Sequence, residues 1–308
     1  MATPLILDTD IGTDVDDALA LAFALRHPAL DLRAVTTVSG DTRRRALIAA
    51  KLLRIAGRGD IEVAAGEAGE QTSPTRSAEA GHEDAMLGDV PYDLAVSDRD
   101  AVTLLLETCA ASPTTVATVG MQSNIAVALE RDPGFADDVG LLAVMGGVFA
   151  PVRFLESTLP ASVDHNLNVD QRASLRALNA GIRTLYVPCD VTFSTWMTTD
   201  HLDALWKGDA LCRELGRQVE IWSVAMRRRG RGIIPDIYVA LLHDPLTVAC
   251  LTDEGRRFVR TERLPVTVAM HNGVVRTFID RAEGVEAEVV TGVDAPGFAR
   301  FWLETVLG

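Results

Sequence analysis

Short apolar runs alternate with stretches of helical periodicity through the first two-thirds of the chain. Residues 5–8 (Leu-Ile-Leu-Asp) read as a buried strand. Residues 16–26 read as a helix with two aspartates in its first turn, where the helix dipole favours negative charge. Val and Thr dominate 32–38, a second strand. A helix is predicted over 42–56, with Arg43, Arg44 and Arg45 at a solvated start and Gly57 as its stop. Residues 61–65 are strand-like. The alternation resumes with helix 101–111, strand 115–119, helix 125–131, strand 141–145, helix 172–180 and strand 183–187. Two long stretches interrupt it. Residues 66–98 are polar, rich in Gly, Ser and Glu, and too long for an ordinary connection, so a lid or functional loop is expected there. Residues 146–168 are also irregular. From 199 to 252 the pattern is mainly helical. Residues 264–279 read as a hairpin turning at His271-Asn272-Gly273, since Asn-Gly suits a tight turn. Residues 296–307 close the chain as a helix.

Strand–helix alternation implies parallel strands with helices on both faces. Parallel strands buried on both sides read as continuous apolar runs, as these do. The expected fold is α/β: one domain over residues 1–308, an open, mostly parallel β-sheet flanked by helices, with a C-terminal helical region and a β-hairpin. No internal repeat or interdomain linker divides it. In such a sheet, ligands bind beyond the carboxyl ends of the strands.

Composition narrows the function. The chain has 308 residues, of which 48% are hydrophobic and 23% charged, an ordinary globular balance. A chain of this length buries roughly 75% of its unfolded surface, so its core needs no staple. Lys and Arg number 29 against 43 Asp and Glu, a net charge of −14. That balance argues against nucleic acid and anionic membrane as partners. It suits cations or neutral substrates. Cys109, Cys189, Cys212 and Cys250 are far apart and form no CxxC, which excludes a zinc ribbon and fits buried free thiols in a reducing cytoplasm. No signal-peptide pattern opens the sequence, and the longest apolar run, near 18–25, is too short to span a bilayer. A cytoplasmic location is expected.

The strongest chemical signal is Asp8-Thr-Asp10-Ile-Gly12-Thr-Asp14-Val-Asp16-Asp17-Ala18. Five carboxylates fall within ten residues, where a buried strand gives way to a helix. Carboxylates this close repel one another unless a cation is present, and hard divalent cations take oxygen ligands. Gly12 permits the bend that would gather them. A capped, solvated helix start would need one or two aspartates, not five. The phosphotransferase pattern DxDx followed by Thr or Val fails at Gly12. An EF-hand loop fails on spacing and on the strand before it.

This run resembles the N-terminal signature of the nucleoside hydrolase family (inosine-uridine-preferring type), DTDxGxDDA, in a variant two residues longer. The resemblance continues in order. Val35-Thr-Thr-Val38-Ser-Gly40 follows the next strand. Gly120-Met-Gln-Ser123-Asn124-Ile-Ala126 resembles GPLTNIA, and Met145-Gly146-Gly147 resembles MGG. Asp164-His-Asn166-Leu-Asn-Val-Asp170 resembles E-x-N-(I/L)-x-x-D, and Leu242-His243-Asp244-Pro245-Leu246 resembles (M/L)HDPL. These blocks cover residues 5 to about 250.

The resemblance implies Ca2+-dependent hydrolysis of the N-glycosidic bond of ribonucleosides to free base and ribose. A calcium ion would bind the attacking water and ribose hydroxyls through Asp10, Asp17, the backbone carbonyl of Ser123, and Asp244. Asp10 matches the general base. Asp16, Asn166 and Asp164 match sugar-binding positions, and Asp41 and Met145 belong to the blocks that line the substrate. His243 matches the histidine beside the last calcium ligand and is the first candidate for the acid that serves the leaving base. His82, in the long polar segment, resembles a second histidine found on a loop over the base in some members. Asp8 is expected to shape the loop from behind, and Asp14 lies in the two-residue extension with no matching role. The family also implies a homodimer or homotetramer. Trp196, Trp222 and Tyr238 fall in the region that builds the base side, although aromatics at helical spacing are more often core.

Three departures touch sugar contacts. Asp41 stands where the family usually has Asn, Asp164 stands where it has Glu, and 149–163 lacks a match to an Asn that many relatives carry. They motivate an alternative substrate, a modified or non-standard N-riboside. A further alternative is a calcium-dependent nucleoside- or ribose-binding protein without turnover. Asp10 and His243 argue against it, because a binder needs neither base nor acid.

Overall fold

The computed structural model describes residues 2–70, 81–89, 94–159, 161, 164–230 and 234–308. Part of the expected lid, 71–80 and 90–93, lies outside them. Strands β1 (Thr3–Thr9), β2 (Leu30–Thr37), β3 (Glu62–Ala65), β4 (Thr114–Thr118) and β5 (Val139–Met145) are parallel and form one side of a nine-stranded sheet. The order continues from β5 through Thr184–Val187, Val285–Val293, Val259–His271 and Val274–Ile279. The parallel strands are apolar and almost wholly buried, as burial on both faces demands.

Helices α1 (Asp16–Arg26), α2 (Thr42–Ile55), α3 (Glu83–Leu87), α4 (Ala101–Ala111) and α5 (Ser123–Arg131) carry the crossovers. The sequence of α1, DDALALAFALR, is apolar around nearly its whole circumference, and every residue from Asp16 to Ala24 is buried. It packs against helix His243–Ala249 and against the closing helix Ala295–Leu307, where the Trp302 indole N–H donates to the Leu19 carbonyl at 3.2 Å.

The C-terminal third departs most from the expected pattern. The hairpin exists, with Asn272 and Gly273 both at positive φ (52° and 79°), as a tight turn of this type requires. Its first strand begins at Val259 rather than 264. A further strand, Val285–Val293, runs antiparallel to it and parallel to Thr184–Val187, joining the hairpin to the parallel sheet. The mainly helical stretch contains strand Tyr238–Leu241, which pairs with Trp196–Thr198 just before that stretch. The irregular stretch after β5 contains a small ribbon, Val152–Phe154 with Ser157–Leu159, and helix His165–Val169. Among the described residues, no helix is long and apolar enough to cross a membrane. All four cysteines are buried.

Candidate active site

The chain leaves β1 toward β2 and β3 on one side, then returns to β4 and β5 on the other. The strand order therefore reverses between β1 and β4, the point where open α/β sheets bind ligands. Asp8, the penultimate residue of β1, is fully buried there. Its Oδ1 accepts from the Thr36 hydroxyl and the Asn124 amide, both at 2.6 Å, and burial pushes its carboxyl up to about 7. Asp10 follows at the crevice, where its Oδ1 would lie 2.8 Å from a Cβ built on Gly120. Only a glycine after β4 lets that carboxylate approach. Gly12, at φ +110°, makes the bend before the chain enters α1.

Two helix N-termini meet beyond the bend. Asp16 and Asp17 open α1, and Asp244 stands in the first turn of helix His243–Ala249, so both dipoles favour negative charge at the same place. The three carboxylates are buried, with ligand oxygens all within 4.8 Å of one another, the one such group among the described residues. Burial is the largest influence on each and pushes each carboxyl well above its ordinary value. The neighbouring aspartates, Asp10 and Asp14 included, push the same way. Asp17 is partly compensated by the Thr9 hydroxyl, which donates to its Oδ1, and by the charge of Arg45. Three hard oxygen donors that repel each other in a buried site fit a hard divalent cation. A cavity of ≈ 270 Å3 opens elsewhere, bordered by Gly147, Phe149, Asp164 and Thr277 of the edge strand, and none of the three carboxylates lines it.

The family model of the inosine-uridine preferring nucleoside hydrolases matches residues 5–300. The chain belongs to this family.

Similarity to individual nucleoside hydrolases is spread along the chain. It is 31% identical to the non-specific ribonucleoside hydrolase of Klebsiella pneumoniae over 67% of each chain. It is 29% identical to the pyrimidine-specific ribonucleoside hydrolase of Salmonella arizonae, over 85% of this chain and 83% of that one. A solved plant nucleoside hydrolase superposes with a TM-score of 0.84 at 25% identity and full coverage of both. The protein is thus an enzyme of the nucleoside hydrolase class.

The structure distributes the expected site residues of this nucleoside hydrolase unevenly. Asp17 and Asp244 come together as expected, but the third carboxylate within 4.8 Å is Asp16 rather than Asp10. Asp10 stands close enough for its charge to act on all three. Ser123 opens α5, and its hydroxyl donates to Asp170 at 2.7 Å. Asn166 is held at the ends of β4 and β5, its amide donating to the carbonyls of Val119 (2.7 Å) and Met145 (3.0 Å). Asp164 caps helix His165–Val169 through Leu167 N at 2.7 Å, and its other oxygen accepts from the Cys189 thiol at 2.9 Å. Asp41 caps α2, accepting from Arg44 N, with its side chain 43% exposed.

His243 meets the Thr192 hydroxyl through Nδ1 at 2.7 Å and stands edge-on to Phe193. Burial pushes its pKa down to about 4, so its ring is neutral at neutral pH. His82 belongs to a strap, residues 81–87, beside the carboxylate loop. Its Nε2 donates to the Thr13 carbonyl at 2.8 Å, and its ring lies 5.8 Å from that of Trp222. Trp196 and Trp222 are buried in the core, as expected of aromatics at helical spacing. Asp14 turns back on the chain and accepts from Val15 N at 2.8 Å.

Arg45 is the buried residue beside this site that the sequence pattern did not mark. The run Arg43-Arg44-Arg45 reads as a solvated helix start, yet Arg45 is 2% exposed and its guanidinium binds the carboxylate loop. The signal lay in the helical period: Arg45 shares the inner face of α2 with Ile48, Ala49 and Leu52, which are buried.

Proposed function

We propose that this enzyme hydrolyses the N-glycosidic bond of ribonucleosides, giving a free base and ribose, in a Ca2+-dependent reaction. The observation that carries the cation is the buried set Asp16, Asp17 and Asp244, whose burial and mutual repulsion a divalent ion would relieve. Those residues would hold it, with Asp10 and the Ser123 carbonyl completing the oxygen donors. A bound Ca2+ would make a water more acidic and anchor neutral ribose hydroxyls in the crevice.

Asp10 acts as general base, since it lies beside the tightest set but outside it, whereas Asp14 turns back to accept from Val15 N. It accepts the water proton as the attacking oxygen closes on C1′. The surrounding carboxylates favour the positive charge that develops on the sugar ring. Asn166, fixed by two carbonyls, presents its remaining amide oxygen to sugar hydroxyls, and Met145 supplies an apolar wall below them. His243, neutral and held by Thr192, offers a hydrogen bond to the departing base, and His82 approaches from the strap side. A homodimer or homotetramer in the cytoplasm completes the proposal, and sedimentation velocity measures the assembly directly.

Asp164 favours a second substrate reading. Its two oxygens are engaged by a helix N-terminus and a thiol, where relatives carry a longer Glu. A modified or non-standard N-riboside therefore stands beside ordinary nucleosides as a substrate. The test is a reducing-sugar assay with purine, pyrimidine and modified nucleosides, with Asp10→Asn alongside. Ribose release that drops by about 10²- to 10⁴-fold in Asp10→Asn supports the base assignment. Equal rates in the two proteins would remove Asp10 from that role.

A further inference from the structure

Arg45 sits one turn into α2, but it reaches inward instead of into solvent. Its Nε donates to the Ser39 carbonyl at 2.7 Å, Nη1 to the carbonyls of Asp10 and Ile11 (the latter at 3.0 Å), and Nη2 to the Thr13 hydroxyl at 2.9 Å. One planar group thus grips the chain on both sides of the Gly12 bend and ties it to the end of β2. The rigid fork of guanidinium suits this task, because a lysine ammonium offers one flexible point of charge.

Thr13 passes the contact onward. Its hydroxyl donates to Glu83 Oε1 at 3.3 Å, and its carbonyl accepts from His82 Nε2. Glu83 is 3% exposed, and its other oxygen accepts from Gly81 N at 2.8 Å. The far side of the strap is pinned as well. Arg217, from helix Ala210–Gly230, donates to the carbonyls of Ala85 and Met86, and Lys51 donates to that of Leu87.

We propose that Arg45 is a positioning residue for the cation site. It holds residues 10–13 in the shape that gathers the carboxylates, and through Thr13 it joins that loop to the strap bearing His82 and Glu83. The proposal rests on the cation reading given above. Arg45 acts through the loop backbone, which its guanidinium holds at the carbonyls of Asp10 and Ile11. Two effects of its removal oppose each other. A resident positive charge repels an incoming cation, so deleting it would tighten binding. A loop freed from its clamp must be ordered by the cation, so deleting it would weaken binding. The four hydrogen bonds to the loop and to the end of β2 make the second effect dominant.

The experiment is calorimetric titration of Ca2+ into chelator-stripped wild type, Arg45→Met, Arg45→Lys and Thr13→Val, below the melting temperature of each. Hydrogen exchange of residues 10–13 and 81–87 is followed with and without Ca2+. The Ca2+ Kd is expected to rise about 10- to 100-fold in Arg45→Met, the usual loss when a partner behind the ligands is removed, and less in Thr13→Val. Ca2+ should protect 81–87 in wild type and lose that effect in Thr13→Val, which keeps the test open should Arg45→Met fail to fold. Excess Ca2+ should restore the kcat of Arg45→Lys, a rescue that mere loosening of the fold would not show. Unchanged or tighter Ca2+ binding in both Arg45→Met and Thr13→Val overturns the proposal while leaving the cation site standing. Absence of Ca2+ binding by wild type overturns the cation reading itself, before any variant is compared.

Discussion

Asp17 illustrates how function opposes stability at single residues. It is buried among like charges, which costs stability, and in the proposed function it becomes a cation ligand. Asp17→Asn keeps an oxygen to accept from the Thr9 hydroxyl. Chelated Asp17→Asn should therefore melt at or above the temperature of chelated wild type, yet gain nothing from added Ca2+. Thermal melts with and without Ca2+ check both halves, and a Ca2+-induced shift equal to that of wild type would exclude Asp17 as a ligand. His27 makes a pH-dependent case away from the site. Its Nδ1 accepts from Ala29 N at 3.2 Å, and burial lowers its pKa. The unfolded chain then takes up the proton at higher pH than the folded one. The stability His27 contributes is fully present above its ordinary value near 6.5 and is lost as pH falls from there through its lowered folded-state value. Urea midpoints of wild type should fall more steeply than those of His27→Gln between about pH 7 and 5. The acidic run was legible at this scale, because five aspartates after an apolar strand are more than the capping of one helix can use. Which three stand closest was not, because that depends on helix His243–Ala249 arriving from more than 200 residues away.

At the scale of elements, the parallel strands and their helices follow from apolar runs and period, and their boundaries moved by only a few residues. Strand Val285–Val293 was hidden for a physical reason. Its outward Glu286 and Glu288 are answered by Arg263 and Arg256 on other elements, pairings that no local pattern announces. Helix His165–Val169 is likewise too short to show a period, yet it protects the sheet. Asn168 donates to the Val275 carbonyl at 3.0 Å and accepts from Val275 N at 2.8 Å, capping a backbone pair on the edge strand. Asn168→Ala should cost about 1–3 kcal/mol by urea denaturation, because both edge groups lose their partner. An unchanged midpoint would mean that solvent serves the edge equally well.

For the whole molecule, sheet order decides where chemistry can occur. The reversal between β1 and β4 leaves one crevice, and the carboxylates of α1 and helix His243–Ala249 converge beside it from distant parts of the sequence. That convergence agrees with the family match over residues 5–300. The chain carries a net charge of −14, and its acidic run from Asp8 to Asp17 contains no Lys or Arg, so the buried Arg45 brings positive charge to that loop from α2. Such a charge balance suits the proposed cation and a neutral sugar. If the cluster works as proposed, a cation held there is required for ribose release. The decisive quantity is the rate of ribose release by chelator-stripped enzyme as Ca2+ is titrated back. Turnover should be negligible without cation and should recover with a midpoint matching the calorimetric Kd. Full turnover in chelator, with elemental analysis finding no bound metal, would contradict the requirement.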